Sequence, residues 1–167
     1  MAVQGEKGME PKYTYIEEMQ VMGIEVRTTN HQEANPTTAT IPKLWNWFFE
    51  EQLLERIPNK VRPNVLLGAY TNYTSDRTGE FSLVVATEVN NIDNPPEGMV
   101  GITIPAGHYL VFTARGELPD AVILAWKQVW SYFSSTNTAY RRTYKTDFEL
   151  YKQQNEVDLY IAVMRIG

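Results

Sequence analysis

Two short runs near the end of the chain alternate apolar and polar residues with a period of two. They are Thr146–Tyr151 and Val157–Met164, rich in β-branched and aromatic residues and joined by the polar stretch Lys152–Glu156, which predicts a hairpin. On the first strand Phe148 and Leu150 share one face, and Glu149 and Tyr151 the other. On the second strand Leu159, Ile161 and Val163 read as core. The alternate stripe, Asp158, Tyr160, Ala162 and Met164, sets a carboxylate and a tyrosine on a half-buried face suited to a cation. Two helical patterns precede the hairpin. Ile41, Trp45 and Phe48, widened by Leu44, Phe49 and Leu53, predict a helix running to about Ile57, with Thr40 as cap and Pro42 in its first turn. Val122, Trp126, Val129, Trp130 and Phe133 predict another, beginning at Pro119-Asp120 and ending in the polar cluster Ser134–Thr138.

The remaining segments read as strands and connections. Tyr13–Thr28 predicts a long strand with a bulge at Gly23, followed by a polar loop over His31–Thr38. Asn64–Tyr73 and Phe81–Val89 predict two more strands around the turn-rich Thr74–Gly79. After the linker Asn90–Gly98, Met99–Arg115 predicts a strand broken at Pro105-Ala106-Gly107. The order strand, helix, strand, strand thus occurs twice, over residues 13–89 and 99–164. The expected fold is α+β: duplicated βαββ units forming a largely antiparallel sheet, with two helices and a central ligand cleft. Residues 1–12 are expected to be a flexible lead-in, and 13–167 a single domain.

Composition narrows the chemistry. The chain has 167 residues, 43% hydrophobic and 21% charged, with a formal net charge of −5; that is ample for one core and argues against nucleic acid, whose phosphates call for a basic surface. The sequence holds no cysteine and only two histidines, so no metal site or cofactor is expected, nor any thiolate nucleophile. No apolar run is long enough to span a bilayer, and the first residues lack the apolar core of a signal peptide; a cytoplasmic protein is expected.

Several motifs, in this order, carry a family resemblance: Pro96-Glu97-Gly98-Met99, Ile104-Pro105-Ala106-Gly107-His108-Tyr109, Trp126, Asp147-Phe148-Glu149-Leu150-Tyr151 and Leu159-Tyr160-Ile161-Ala162-Val163. From about Tyr13 to Met164 the chain resembles the effector-binding domain shared by gyrase-inhibitor-like proteins and by the drug-sensing halves of AraC- and MerR-type regulators. The resemblance implies two βαββ repeats around a central pocket. It also implies that Glu149, at the position of the family's pocket glutamate, pairs with a cationic, often aromatic or lipophilic, ligand. Trp126 and Tyr160 match pocket-lining positions. Ala162 stands where the family commonly has a proline, and no helix-turn-helix pattern accompanies the domain, so a standalone small-molecule binder is expected.

An arbitrary strand glutamate is solvated, but the neighbouring tyrosines and the resemblance favour a binding role for Glu149. Trp45, Trp126 and Trp130 are expected to pack against the sheet, Trp126 also lining the pocket, as does Tyr151 beside Glu149. Tyr70 and Tyr73, three residues apart, should face opposite ways, and Tyr70 is the one placed in the cleft. His108, Glu88 and the pair Arg141-Arg142 are expected to face solvent. No nucleophile with a histidine partner is evident, and no catalytic residue is assigned. A small-molecule hydrolase using Glu149 as general base and a gyrase-inhibitor-type interaction module, with a protein partner or a second copy of the chain, are the alternatives.

Overall fold

Sheet pairing joins all the strands of the described residues into one antiparallel sheet. The computed structural model describes residues 10–135, 138–153 and 155–166; most of the expected lead-in, residues 1–9, and residues 136–137 of the polar cluster lie outside them. In chain order the elements are β1 (Lys12–Ile16), β2 (Met19–Thr29), α1 (Asn30–Glu33), α2 (Ile41–Glu50), a 3₁₀ turn (Leu53–Arg56), β3 (Leu66–Thr71), β4 (Glu80–Val89), β5 (Val100–Ile104), β6 (Gly107–Arg115), α3 (Asp120–Ser134), β7 (Tyr140–Arg142), β8 (Thr146–Gln153) and β9 (Glu156–Arg165). The sheet order is β1-β6-β9-β8-β3-β4-β2-β5, with β7 pairing on β9. The architecture is α+β, as expected from the pattern.

From the central β8–β3 seam outward, the sheet runs β8-β9-β6-β1 on one side and β3-β4-β2-β5 on the other. The two edge strands are exchanged. β1 precedes β2 in the chain but pairs with β6, and β5 precedes β6 but pairs with β2. The long strand expected over 13–28 is therefore two strands, parted at the exposed Glu17-Glu18. Nor is Gly23 a bulge, because the β2–β4 register runs unbroken through Gly23↔Ala86. A Cβ there would lie 1.8 Å from the Val85 carbonyl oxygen, so the glycine permits a close backbone approach instead.

Three apolar clusters hold the layers together. Leu44 and Phe48 of α2 pack with Met22, Ile24, Leu83 and Val85. Val122, Ala125 and Val129 of α3 pack with Leu110, Phe112, Leu159 and Ile161. The reverse face of the sheet gathers Val21, Leu67, Val84, Ile104, Tyr109 and Phe148 into a cluster with no helical residue among those described. The α2 segment ends earlier than its pattern predicts, since Gln52 takes a left-handed conformation (φ 51°) before the 3₁₀ turn. Its cap also differs. Thr40 makes no side-chain capping bond. Instead the Glu33 carboxylate accepts from the Thr40 and Ile41 amides at 3.0–3.1 Å, placing a negative charge at the positive end of the helix.

Candidate functional site

The helix-covered side of the sheet opens over the central seam into a cleft of about 930 Å³. Trp45 and Phe49 come from α2, Val122, Ile123, Trp126 and Trp130 from α3, and Tyr70, Glu149 and Tyr151 from the strands beneath. Helical spacing explains the contribution of each helix. Leu44 and Phe48 face the sheet, which turns Trp45 and Phe49 toward the cleft; likewise Val122, Ala125 and Val129 anchor α3 while Trp126 and Trp130 line the opening.

Glu149 lies in this cleft and is 2% exposed. One carboxylate oxygen accepts from the Tyr151 hydroxyl at 2.8 Å. The other accepts from the Tyr70 hydroxyl at 2.8 Å and from the Trp126 indole N–H at 2.7 Å. All three donors are neutral, and among the described residues no lysine, arginine or histidine forms an ion pair with this carboxylate. Burial pushes its pKa above the usual carboxylate value, and the donors from Trp126, Tyr151 and Tyr70 pull it partly back. Burial also lifts the phenols of Tyr70 and Tyr151 well above their ordinary value, with the nearby Glu149 charge adding to the effect. These hydroxyls therefore stay protonated and donate. The rings interlock edge to face, Tyr70 on Trp126 at 5.1 Å and Tyr151 on Trp45 at 5.0 Å.

Room for the carboxylate comes from the strand opposite. Gly68 of β3 is the register partner of Glu149, and a Cβ at Gly68 would meet Oε1 of Glu149 at 2.9 Å and Cζ2 of Trp45 at 3.3 Å. A side chain at that position would occupy the space the carboxylate holds.

Arg142 and Tyr73 line the same cleft and share one buried partner, Asp147. Asp147, fully buried, accepts from Arg142 Nη2 at 2.8 Å, the Tyr73 hydroxyl at 2.7 Å and the Ala162 amide at 2.7 Å. The Arg142 guanidinium sits 4.3 Å from the Tyr144 ring centroid and 5.9 Å from that of Trp126.

Four of the five residues expected in the site, Glu149, Trp126, Tyr70 and Tyr151, are thus brought together. Tyr160 is not. In an antiparallel pair, directly opposed residues share a face; Glu149 opposes Leu159 and Phe148 opposes Tyr160. Tyr160 therefore stacks on Phe148 at 4.5 Å on the reverse side, and Asp158 shares that side, paired with Lys152 at 3.2 Å. Tyr73 was expected to turn away from Tyr70, yet it also lines the cleft. β3 ends at Thr71, and Asn72 takes φ 53°, which breaks the alternation. Arg142, expected in solvent, is buried as the partner of Asp147. Trp45 and Trp130 line the cleft as well as packing. Gly68, Asp147 and Arg142 were not expected at the site, although an unbroken Asp-Phe-Glu alternation puts both carboxylates on one face and could have drawn attention to Asp147.

The family model described as integron-associated effector binding protein matches residues 13–163. An integron cassette protein from Vibrio cholerae is 36% identical, with a TM-score of 0.78 over 93% of this chain and 96% of that one. The protein YobU of Bacillus subtilis (strain 168) is 26% identical over 91% of this chain and 96% of its own length. The structure of SAV2435 bound to tetraphenylphosphonium shares the fold, at 20% identity and a TM-score of 0.74, over 93% of this chain and 94% of that one.

Proposed function

Because this chain belongs to the family of integron-associated effector-binding proteins, we propose that its cleft binds a lipophilic or aromatic cation, with Glu149 as the charge-selecting residue. The supporting observation is a buried carboxylate ringed by neutral donors, without a countercharge among the described residues, in an aromatic cleft. Holding such a charge is costly, and a bound cation relieves the cost. The ligand's apolar surface adds roughly 25 cal/mol per Å² buried. The faces of Trp126, Trp45, Tyr70 and Tyr151 add about 0.5–2 kcal/mol of cation–π attraction, depending on desolvation. A neutral or anionic ligand of the same shape would leave Glu149 buried and unpaired. Tyr70, Trp126 and Tyr151 position the carboxylate and line the site. Acting in the cytoplasm, the domain serves as an effector sensor or a sequestering protein, and we assign it no catalytic step.

Tetraphenylphosphonium and tetraphenylborate have the same shape and opposite charge, which makes them a direct test. The wild-type protein should bind the cation and not the anion. At a hundredfold excess over its dissociation constant, the cation should stabilise the fold by about 2.7 kcal/mol, a melting shift of several degrees. Glu149→Gln should fold and lose most of that shift. Equal affinity of wild type and Glu149→Gln for the cation would overturn the assignment.

A further inference from the structure

Strand register gives the cleft a direction. Along the β3–β8 seam Leu66 opposes Tyr151, Gly68 opposes Glu149 and Tyr70 opposes Asp147, and opposed residues share a face. Glu149 therefore stands midway, with a neighbouring pair two residues away on either side, roughly 7 Å along the strands. The two ends differ in character. Toward Tyr70 the cleft is lined by Arg142, which is paired with Asp147, and by Arg77 of the β3–β4 loop. Toward Tyr151 lies a second, smaller cavity of about 360 Å³, lined by Trp45, Phe49, Asn64, Leu66, Leu118 and Tyr151. Lys152 also borders it, with its ammonium held by Glu156 and Asp158 at 3.3 and 3.2 Å.

The two cavities adjoin. Trp45, Phe49, Leu118 and Tyr151 line both of them. The rings of Trp45 and Tyr151, edge to face at 5.0 Å, form a shared wall. Phe49 and Leu118, 58% and 41% exposed, continue the apolar lining from one cavity to the other. Large apolar side chains thus stand half in water beside the cation site, and a ligand group that covers them gains the area they expose. We propose that the second cavity is an arm-binding lobe. The ligand whose cationic centre is held at Glu149 carries an apolar arm, alkyl or aryl, that crosses Trp45 and Tyr151 and lies against Phe49, Leu66 and Leu118. The arm is neutral because the Lys152 charge is already matched by Glu156 and Asp158. It points toward Leu66 rather than Tyr70, because at the other end it would strip water from charged groups. The proposal rests on the cation-binding role of Glu149 and narrows the ligand class to elongated cations with the charge toward one end.

Two probes isolate the lobe: methyltriphenylphosphonium and hexyltriphenylphosphonium, which share a cationic head and differ only in the length of one arm. Each methylene that enters the lobe should tighten binding about fourfold. Titrated calorimetrically into the wild-type protein, the hexyl probe should therefore bind on the order of fiftyfold tighter than the methyl probe. Asn64 and Leu66 line the second cavity and not the main cleft, so they separate arm from head. Asn64→Trp, at an exposed position, fills the lobe, and Leu66→Gln sets an amide where the arm would lie. Each should cut the hexyl advantage to about fivefold or less while leaving the methyl probe within about twofold of wild type. Glu149→Gln should weaken both probes and preserve their ratio. Loss of the advantage in either lobe variant supports the proposal. Equal binding of the two probes by wild type, or an advantage that survives in both lobe variants, overturns it. Unchanged binding of both probes by Glu149→Gln would instead overturn the cation reading.

Discussion

Replacing Gly68 by alanine should damage the site and the fold together, to a degree that can be worked out from the close approach of β3 to β8. The added Cβ would lie 2.9 Å from Glu149 Oε1 and 3.3 Å from Trp45 Cζ2. Optimal non-bonded separations are about 3.5 Å or more, so the carboxylate must retreat by roughly half an ångström and the indole by a few tenths. The carboxylate cannot retreat freely, because Tyr151, Tyr70 and Trp126 fix both of its oxygens. Forcing a methyl into such a packed site costs about 1–3 kcal/mol, offset by up to about 1 kcal/mol from the stiffer unfolded chain. A net loss of about 1–2 kcal/mol corresponds, for a domain of this size, to a fall in Tm of roughly 2–8 °C. Displacing the carboxylate should also weaken tetraphenylphosphonium binding about tenfold, the equivalent of about 1.4 kcal/mol. Gly107→Ala is the control, since a Cβ there has nothing within 4 Å. Circular-dichroism melts and calorimetric titration of both variants would measure the effects. A Gly68→Ala protein with wild-type Tm and wild-type affinity would refute the claim that this glycine makes room for Glu149.

Other expectations follow from the same features. Burial raises the folded-state pKa of Glu149 above its ordinary 4.5, so the folded protein keeps this proton where the unfolded chain releases it. The resulting stability is fully present below pH 4.5 and lost as pH rises through the raised value; urea melts should show that loss in wild type relative to Glu149→Gln, and parallel profiles would refute it. Cation affinity should run the opposite way across the same window, weakening as falling pH protonates the carboxylate. We propose that residues 13–89 and 99–164 are related by a pseudo-twofold axis, so superposing α2 with β3 and β4 on α3 with β8 and β9 should bring β2 onto β6; a superposition that leaves the helices on different strands would refute the duplication. Specific DNA binding by this chain should be absent, as its net charge of −5 argues; a sequence-selective gel shift at physiological salt would overturn that expectation.

The architecture was legible because most elements state themselves locally. The helical spacing of Trp126, Val129 and Phe133 and the alternation over Phe148–Tyr151 needed no tertiary information. Glu149 stood out because a carboxylate among tyrosines on a half-buried strand requires an explanation. What the sequence did not carry was register. Nothing local says that Glu149 opposes Leu159 rather than Tyr160, and a shift of one residue moves an entire stripe to the other face. Tyr160 was misplaced for that reason. Arg142 looked solvated because its partner Asp147 becomes adjacent only when β7 and β8 both pair with β9. Tyr73 was misjudged because one left-handed residue, Asn72, ends the alternation that the pattern assumed. Gly68 gave no signal beyond being a glycine in a strand, and its meaning depends on which side chain lies across the seam.

The exchanged edge strands bear on how this chain reaches its native state. With β1 completing the side built around β6, and β5 completing the side built around β2, neither side of the sheet can be assembled from contiguous sequence. Cut within the 90–98 linker, each fragment would present an open β-strand edge that only the other fragment can fill. The two pieces should therefore be poorly ordered alone and recover structure when mixed, by fragment complementation. Intact, the chain should unfold as one cooperative unit, without a stable half-folded intermediate. A ligand that clamps the β3–β8 seam should then slow hydrogen exchange even at amides of β1 and β5, to the extent that they exchange through global unfolding.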